Sequence, residues 1–205
     1  MRGLCDAMLR EQILTEVRGN LNPLLGPAEF EADVGYSGSP ADRAAGGGDT
    51  PRRLLHAYAR DAAFRRWATG PEVRDLLHTL FDSHEVLLSQ CHHNCVMTKY
   101  PGYSSSTLWH QDIRYWSFDR PDLISVWLAL GVENDRNGAL KIIAGSHALD
   151  IDRGRLDKNL FLRPELADNA ALIAQAQSVE LDPGDAVFFH CRTFHAAGKN
   201  VSNDV

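Results

Sequence analysis

The chain has 205 residues, of which 44% are hydrophobic and 23% are charged, a balance typical of a folded domain with one sizeable core. Its formal net charge of −6 comes without any block of basic residues, so we expect neither nucleic acid nor an anionic membrane as a partner. There is no apolar run of about 18 residues and no basic-then-apolar leader, so the sequence predicts neither a membrane span nor a signal peptide. Its four scattered cysteines do not suggest a disulfide framework, which favours a cytoplasmic location.

The chain up to about residue 84 has the patterns of a helical lead-in. Apolar residues recur at helical spacing between Leu4 and Leu21, and Asn22-Pro23 ends that run. Residues 36–50 form a loop rich in Gly, Ser and Ala, which we expect to be mobile and exposed. Thr50 and Pro51 are typical of an N-cap followed by the first helical position, so we predict a helix through RRLLHAYARD.

A further proline, Pro71, predicts the start of another helix. Its buried face would consist of Val73, Leu76, Leu77, Leu80 and Phe81. Neither an internal repeat nor a shift in composition marks a second domain, so we expect residues 1–205 to form a single domain.

From about residue 85 the chain consists of short runs with strand length and strand composition, separated by turn residues. These runs are VLLSQ, HHNCVMTKY, LWHQDIRYW, LISVWLAL, ALKIIAG and AVFFH. Before the last of them, residues 182–185 (DPGD) place Pro and Gly at the central positions of a type II turn. Residues 156–177 are expected to be a helical or irregular excursion between strands. Helices followed by many short strands predict an α+β chain whose β half is a sandwich or a barrel.

The run LWHQDIRYW contains one His-x-Asp triplet, formed by His110, Gln111 and Asp112. Such a triplet is expected roughly once by chance in this composition, so its context decides what it means. In a strand, residues i and i+2 point to the same face, which would bring His110 and Asp112 together. One distant imidazole, from His190 or His195, would complete the set of two histidines and one carboxylate that is typical of non-haem Fe(II) oxygenases.

Two other interpretations of the triplet remain open at this point. The run could be a half-buried strand whose His110 and Asp112 hydrogen-bond at the surface. A zinc hydrolase can also use two histidines and a carboxylate, although the H-E-x-x-H motif is absent. The iron interpretation explains the ligand types best, because two imidazoles and one carboxylate hold Fe(II) and still leave room for a 2-oxoacid and dioxygen.

Four segments resemble, in the same order and with similar spacing, the phytanoyl-CoA dioxygenase family of Fe(II)/2-oxoglutarate-dependent oxygenases. They are LWHQDIRYW, PDLISVWLAL, NGALKIIAGSH and PGDAVFFHCRTFHAAGKNVSND. The resemblance covers most of the chain from about Thr50 onward. It implies a mainly β fold with N-terminal helices: a lead-in at about 1–84, then a double-stranded β-helix, or cupin-like jelly roll, at about 85–205.

The resemblance also implies a site and its chemistry. His110 and Asp112 match two iron ligands of the family, and His195 matches the third. Fe(II), 2-oxoglutarate and O2 are therefore expected, with hydroxylation of a small-molecule substrate as the reaction. The retained Asp112 favours hydroxylation over halogenation, because related halogenases have a small residue there. The alternative is a non-catalytic or differently metallated cupin-like binding module.

The resemblance extends to the cosubstrate. Gln111 and Trp127 match positions that line the 2-oxoglutarate pocket, and Arg53 matches a basic position that reaches a cosubstrate carboxylate. In one departure, Ala197 stands where the family usually has a small hydroxyl residue. In a second, the main basic anchor would fall at or beyond Val205, so we expect the chain to be trimmed there.

The substrate side is less informative. Strand alternation would place Arg114 on the face of the expected ligands, and with Tyr115 it is the candidate for contact with an acidic substrate group. Arg114 or Arg192 would also have to replace the missing anchor if the chain were complete. A zinc site within CHHNC (residues 91–95) lacks a clear fourth ligand. The prime substrate would meet the loops at 36–50 and 150–165, and the oligomeric state is not indicated.

Overall fold

A computed structural model describes residues 1–21, 24–36, 38–90 and 94–203 and shows helices and antiparallel strands in them. The helices are α1 (Ala7–Leu21), α2 (Ala57–Arg60), α3 (Ala62–Thr69), α4 (Pro71–Phe81) and α5 (Ala167–Ile173). The strands are β1 (Ala28–Phe30), β2 (Pro51–Leu55), β3 (Cys95–Met97), β4 (Thr107–His110), β5 (Ile124–Leu128), β6 (Leu140–Ile142), β7 (Gln177–Ser178), β8 (Ala186–His190) and β9 (His195–Ala197). Among these helices, none is long and apolar enough to cross a membrane.

The helical lead-in packs around one apolar core. Ile13 and Val17 of α1 are buried with Ala63 and Phe64 of α3 and with Leu54 of β2. Full burial of an Ile, Val, Leu or Phe side chain stabilises a fold by about 1.5–3 kcal/mol. The core therefore attaches the N-terminal helices to the sheet of β1, β2 and β3.

Helix α4 begins at Pro71, as predicted, but its predicted buried face is only partly correct. Val73 is buried, whereas Leu80 is 54% exposed. The helix packs against α3, so only the side facing α3 leaves solvent. A helical spacing of apolar residues does not show how much of the apolar face a neighbour covers.

The helix predicted directly after Pro51 is wrong in its first half, because Pro51–Leu55 forms strand β2. Arg52 and Leu54 are buried while Pro51, Arg53 and Leu55 are half-buried, which is the alternation of a strand. The strand is central, with antiparallel partners β1 and β3 on its two sides. Pairing with segments distant in the sequence thus outweighed the local helix-start pattern, and proline is tolerated as the first residue of a strand.

The β half contains the β4-β9-β6-β7 sheet and the β5-β8 pair, all antiparallel. The predicted turn before β8 forms: the amide of Asp185 donates to the carbonyl of Asp182 at 3.0 Å, and Gly184 has φ +92°. The run VLLSQ is not a strand, and Leu87 within it is 95% exposed. Within HHNCVMTKY only Cys95–Met97 is a strand, and residues 91–93 lie outside the described residues.

Candidate functional site

Three buried side chains with metal-binding chemistry meet where β4 and β9 pair. His110, the last residue of β4, lies opposite His195, the first residue of β9. Their exposed fractions are 4% and 6%, and that of nearby Asp112 is 5%. Oδ1 of Asp112 is 3.3 Å from Nε2 of His195 and 3.8 Å from Nε2 of His110. One possible ligand atom from each residue lies within 4.8 Å of the other two.

The local backbone differs from the single strand predicted for LWHQDIRYW. Strand β4 ends at His110, and Asp112–Tyr115 forms a turn of 3-10 helix. Gln111 between them is still extended, with φ −113° and ψ 139°, so His110 and Asp112 converge although Asp112 is not in a strand. The amide of Ile113 donates to the carbonyl of Cys191 at 3.1 Å, which ties this turn to the segment before His195.

Both histidines are held by backbone carbonyls on the side away from the cluster. Nδ1 of His110 is 2.7 Å from the carbonyl oxygen of Leu108, and Nδ1 of His195 is 2.9 Å from that of Thr193. A carbonyl only accepts, so each Nδ1 donates and each neutral ring presents the lone pair of Nε2 to Asp112. Burial, with the nearby ring of His195, lowers the pKa of His110 to about 3. The ring of His110 therefore carries the neutral form that binds metal ions.

Asp112 is oriented by a residue that sequence analysis missed. The hydroxyl of Ser125 in β5 donates to Oδ2 of Asp112 at 2.6 Å. Strand alternation places Ser125 on the same face of β5 as Trp127. That alternation was the available clue, since Trp127 was itself predicted to face the pocket.

The residues predicted to line the cosubstrate pocket have defined partners. Nε2 of Gln111 donates to the carbonyl of Arg192 at 2.6 Å. Nε1 of Trp127 donates to both carboxylate oxygens of Glu133, at 2.9 and 3.0 Å. Glu133 is mostly buried, and that burial raises its pKa to about 6. The carboxylate thus fixes the indole ring of Trp127 within the barrel wall.

Arg53 lies in β2 rather than in a helix. Its Nη1 donates to Oε2 of Glu29 at 2.8 Å, while its Nε is buried without a hydrogen-bond partner among the described residues. The hydroxyls of Tyr36 and Tyr115 lie near enough to influence the Arg53 guanidinium electrostatically. Arg53 therefore has one buried donor without a partner among the described residues.

Several aromatic side chains lie against one side of the His110 ring. The rings of Tyr115 and Phe161 meet that of His110 edge-on, with centroids 5.7 and 5.9 Å away. The hydroxyl of Tyr36, from the loop at 36–50, lies 2.9 Å from that of Tyr115. The Arg114 guanidinium stacks 3.8 Å over the ring of Phe161. Sequence analysis named Arg114 and Tyr115 for this region, and its two substrate loops, 36–50 and 150–165, include Tyr36 and Phe161, which it did not single out.

Other sequence candidates lie apart from the cluster. The ring of His190 pairs with that of His147 at 5.5 Å, and its Nδ1 accepts from the amide of Arg192 at 3.1 Å. The Arg192 side chain donates to the carbonyl of Leu149. Within the described part of the chain, the His110, Asp112 and His195 cluster is the group of three or more such residues close enough to share a metal ion. The possible zinc site at 91–95 falls largely outside the described residues.

Solved structures with a similar fold bear on the architecture. An epimerase, SnoN, in complex with Fe3+, alpha-ketoglutarate and nogalamycin RO is 22% identical, with a TM-score of 0.68, over 99% of this chain and 73% of that one. EctD from S. alaskensis with 2-oxoglutarate and 5-hydroxyectoine is 18% identical, with a TM-score of 0.75, over 99% of this chain and 66% of that one. At this identity the likeness shows the fold, and the predicted mainly β, cupin-like jelly roll with N-terminal helices is confirmed.

Curated relatives of this chain are described as phytanoyl-CoA dioxygenases. Phytanoyl-CoA dioxygenase 1 of Oryza sativa is 24% identical over 151 residues, which are 73% of this chain and 52% of that protein. The peroxisomal phytanoyl-CoA dioxygenase of Homo sapiens is 24% identical over 154 residues, 70% of this chain and 43% of that protein. The chain thus spans about half the length of the curated relatives it matches. The family model for phytanoyl-CoA dioxygenase (PhyH) matches residues 26–205, and the chain belongs to this family.

Proposed function

We propose that this chain carries the catalytic site of a non-haem Fe(II)/2-oxoglutarate-dependent dioxygenase that hydroxylates a small-molecule substrate. One observation carries the proposal: Nε2 of His110, Nε2 of His195 and Oδ1 of Asp112 lie close together in a buried site. In the balanced reaction, substrate C–H, O2 and 2-oxoglutarate give substrate C–OH, succinate and CO2. Membership of the phytanoyl-CoA dioxygenase family supports the same reaction class.

The donor set fits a divalent iron. Two imidazole lone pairs and a carboxylate oxygen are acceptors, and acceptors that face one another within 4.8 Å in a buried site repel unless a cation lies between them. Two neutral histidines and one carboxylate are the set that non-haem iron oxygenases use. When bound there, iron would supply the redox chemistry that couples dioxygen to 2-oxoglutarate.

The chain's own residues would bind and orient the cosubstrate. Arg53 offers a guanidinium with an unsatisfied Nε, suited to a carboxylate. Gln111 and Trp127 both donate hydrogen bonds to other residues, Arg192 and Glu133, so they present a rigid wall. We therefore propose Arg53, Gln111 and Trp127 as the cosubstrate residues.

We propose that Arg114 and Tyr115 face the prime substrate and that this substrate carries an acidic group. The Arg114 guanidinium donates to the Tyr115 hydroxyl at 3.2 Å and has no carboxylate partner among the described residues. Its stacking on Phe161 sets its direction. The proposal predicts that small acids stimulate 2-oxoglutarate turnover more than their amides do, and that Arg114→Gln removes the difference.

The cytoplasm is our proposed compartment. The support is compositional, since cysteine-poor chains without a disulfide framework are typical of reducing compartments. The human relative is peroxisomal by its name, so a fluorescent fusion of the full chain, imaged with a peroxisomal marker, tests the assignment. Co-localisation with the marker would contradict it.

The decisive experiment titrates the full chain with Fe(II) and 2-oxoglutarate without oxygen, then adds O2 and measures succinate. We expect Fe(II)-dependent binding of 2-oxoglutarate and succinate formation in the wild type. Asp112→Ala should lose both, whereas Asp185→Asn, which changes another buried aspartate outside the cluster, should keep both.

Failure to bind 2-oxoglutarate in the presence of Fe(II), together with intact metal binding by Asp112→Ala, would contradict the proposal. Metal binding without succinate formation from any substrate tested would favour the cupin-like binding module instead. Arg53→Met tests the cosubstrate assignment separately, with an expected loss in 2-oxoglutarate affinity of about tenfold or more. Arg43→Met, at an exposed ion pair, is its matched control.

A further inference from the structure

The two carboxylate oxygens of Asp112 have different surroundings. Oδ1 faces the two histidine rings, at 3.3 and 3.8 Å from their Nε2 atoms. Oδ2 accepts the hydrogen bond from the hydroxyl of Ser125 at 2.6 Å. The hydroxyl of Ser125 is the donor of this bond and the carboxylate oxygen is the acceptor. The distance is in the range of strong hydrogen bonds from a hydroxyl to a charged oxygen.

Ser125 is held rigidly at this place. It lies in β5, which pairs with β8 along its whole length, and its direct partner in β8 is Phe189. The ring of Phe189 lies 5.0 Å from that of His195. The same β5-β8 pair therefore positions both Ser125 and the neighbour of His195, so the hydroxyl has a fixed relation to the cluster.

The other end of the hydrogen bond is equally restrained. Asp112 starts the 3-10 turn that the Ile113 amide ties to the Cys191 carbonyl. Ser125 is thus attached to β8, and the turn of Asp112 is attached to Cys191, which directly follows β8 on the way to His195. Rotation of the Asp112 carboxylate would break the bond to Ser125.

We propose that Ser125 is a positioning residue of the metal site, which holds Asp112 so that Oδ1 alone serves as the ligand atom. The proposal rests on the proposed function and adds to it. A carboxylate that binds through one oxygen takes up one coordination position, whereas a chelating carboxylate takes up two. By keeping Oδ2 engaged, Ser125 would preserve room for the cosubstrate and dioxygen. Partners of this kind typically change metal affinity by about 10–100-fold when removed.

The test compares Ser125→Val with Ser125→Thr, which have nearly the same shape but differ in the hydroxyl. The probe is Co(II), titrated without oxygen, with affinity and the visible absorption of the bound ion as readouts. We expect Ser125→Val to weaken Co(II) binding by about 10–100-fold and to change the absorption spectrum. Ser125→Thr should stay within about threefold of the wild type, with an unchanged spectrum.

Ser178→Ala is the matched control. Its hydroxyl donates to Oδ1 of Asp135 at 2.7 Å in β7 at the sheet edge, a similar strand-serine bond outside the cluster. It should leave Co(II) affinity unchanged. If Ser125→Val fails to fold, Ser125→Ala takes its place in the comparison with Ser125→Thr.

Two negative outcomes are distinguishable. If the variant without a hydroxyl binds Co(II) with wild-type affinity and spectrum while Asp112→Ala loses binding, the role of Ser125 is refuted and the proposed function stands. If Asp112→Ala also binds Co(II) like the wild type, the proposed function itself fails. A loss of affinity shared equally by Ser125→Thr and Ser125→Val would refute the hydroxyl as the cause.

Discussion

Two buried polar groups in this molecule are built in opposite ways. One is the pair formed by Arg52 and Glu31, whose side chains are each 1% exposed. The other is the cluster of His110, Asp112 and His195. Burial of polar groups is costly in both cases unless they are satisfied.

The Arg52 and Glu31 pair closes on itself. Both carboxylate oxygens of Glu31 lie 3.2 Å from Nη1 of Arg52, and Oε2 also accepts from the amide of Ser105 at 3.0 Å. Nη2 of Arg52 donates to the hydroxyl of Thr107 at 2.9 Å. The two Nη atoms of Arg52 and both oxygens of Glu31 meet partners within the protein, and Nε of Arg52 is the one guanidinium nitrogen that is buried without a hydrogen-bond partner among the described residues.

The cluster instead directs acceptors toward a common point. Its donors, the Nδ1 atoms and the Ser125 hydroxyl, are used on the outside, and lone pairs face inward. The comparison teaches that burial alone does not separate structural from functional polar residues. The direction of the acceptors does.

The largest effect is expected from breaking the closed pair. Arg52→Met leaves Glu31 as a buried carboxylate without its cation, which should lower the free energy of unfolding by about 3–5 kcal/mol. Urea unfolding monitored by tryptophan fluorescence measures the change. Arg43→Met removes an ion pair whose arginine side chain is 52% exposed, and it should cost less than about 1 kcal/mol. Equal losses of unfolding free energy in the two variants would contradict the larger stabilising role assigned to the buried pair.

The stability of the His110, Asp112 and His195 cluster should depend on whether a metal ion is present. Mn(II) at about a hundred times its dissociation constant should stabilise the wild type by about 2.7 kcal/mol. Asp112→Asn should lose this increment, because an amide oxygen is a poorer ligand than a carboxylate. Thermal unfolding with and without Mn(II) measures it, and Asp185→Asn should retain the increment. An undiminished response in Asp112→Asn would place the metal elsewhere.

A pH-dependent effect of about 2 kcal/mol is expected at Glu133. Burial raises its pKa from the ordinary 4.5 to about 6, so the folded chain binds a proton more readily than the unfolded chain does. Stability is therefore lost as pH rises through this window. Relative to Glu133→Gln, the wild type should lose about 2 kcal/mol between about pH 4 and about pH 7.5. A constant difference between the two unfolding curves would contradict the raised pKa.

The smallest effect is expected at the hydroxyl pair of Tyr36 and Tyr115. Tyr36→Phe removes one hydrogen bond and should lower the free energy of unfolding by about 1 kcal/mol. The ring at position 36 and its edge-on packing against Phe161 stay in place. Chemical unfolding measures the change. Tyr103→Phe, at a half-exposed ring, serves as the control. If Tyr36→Phe costs several kcal/mol more than Arg43→Met, the Tyr36 hydroxyl has a larger role than one hydrogen bond.

Sequence analysis predicted features whose residues lie in a short motif. Strand β8 and its turn are of this kind, whereas the jelly roll and the choice of His195 over His190 came from the resemblance of four segments, in order, to a known family. Sequence analysis failed where pairing partners lie far away. Pro51 has a local helix-start pattern, but β1 and β3 draw the segment into a sheet.

The contacts of Ser125 and Tyr36 also depended on distant partners. A serine within an apolar strand gives no indication that a carboxylate from a 3-10 turn will lie 2.6 Å away. Tyr36 lies in a loop rich in small residues, which was expected to be mobile and exposed, and yet it reaches Tyr115. Such contacts are set by tertiary packing rather than by local propensity.

The opposed positions of His110 and His195 in β4 and β9 have a kinetic consequence. The two rings meet only after two strands that are distant in the sequence, β4 and β9, have paired, and contacts of this kind form late in folding. A local opening of the three-residue strand β9 would have to break its pairing with both β4 and β6. A metal ion bound by both rings would oppose that opening. Release of the ion and opening of β9 would therefore occur together. Hydrogen exchange at the amides of Ala196 and Ala197 would then slow on metal binding more than exchange in the β5-β8 pair.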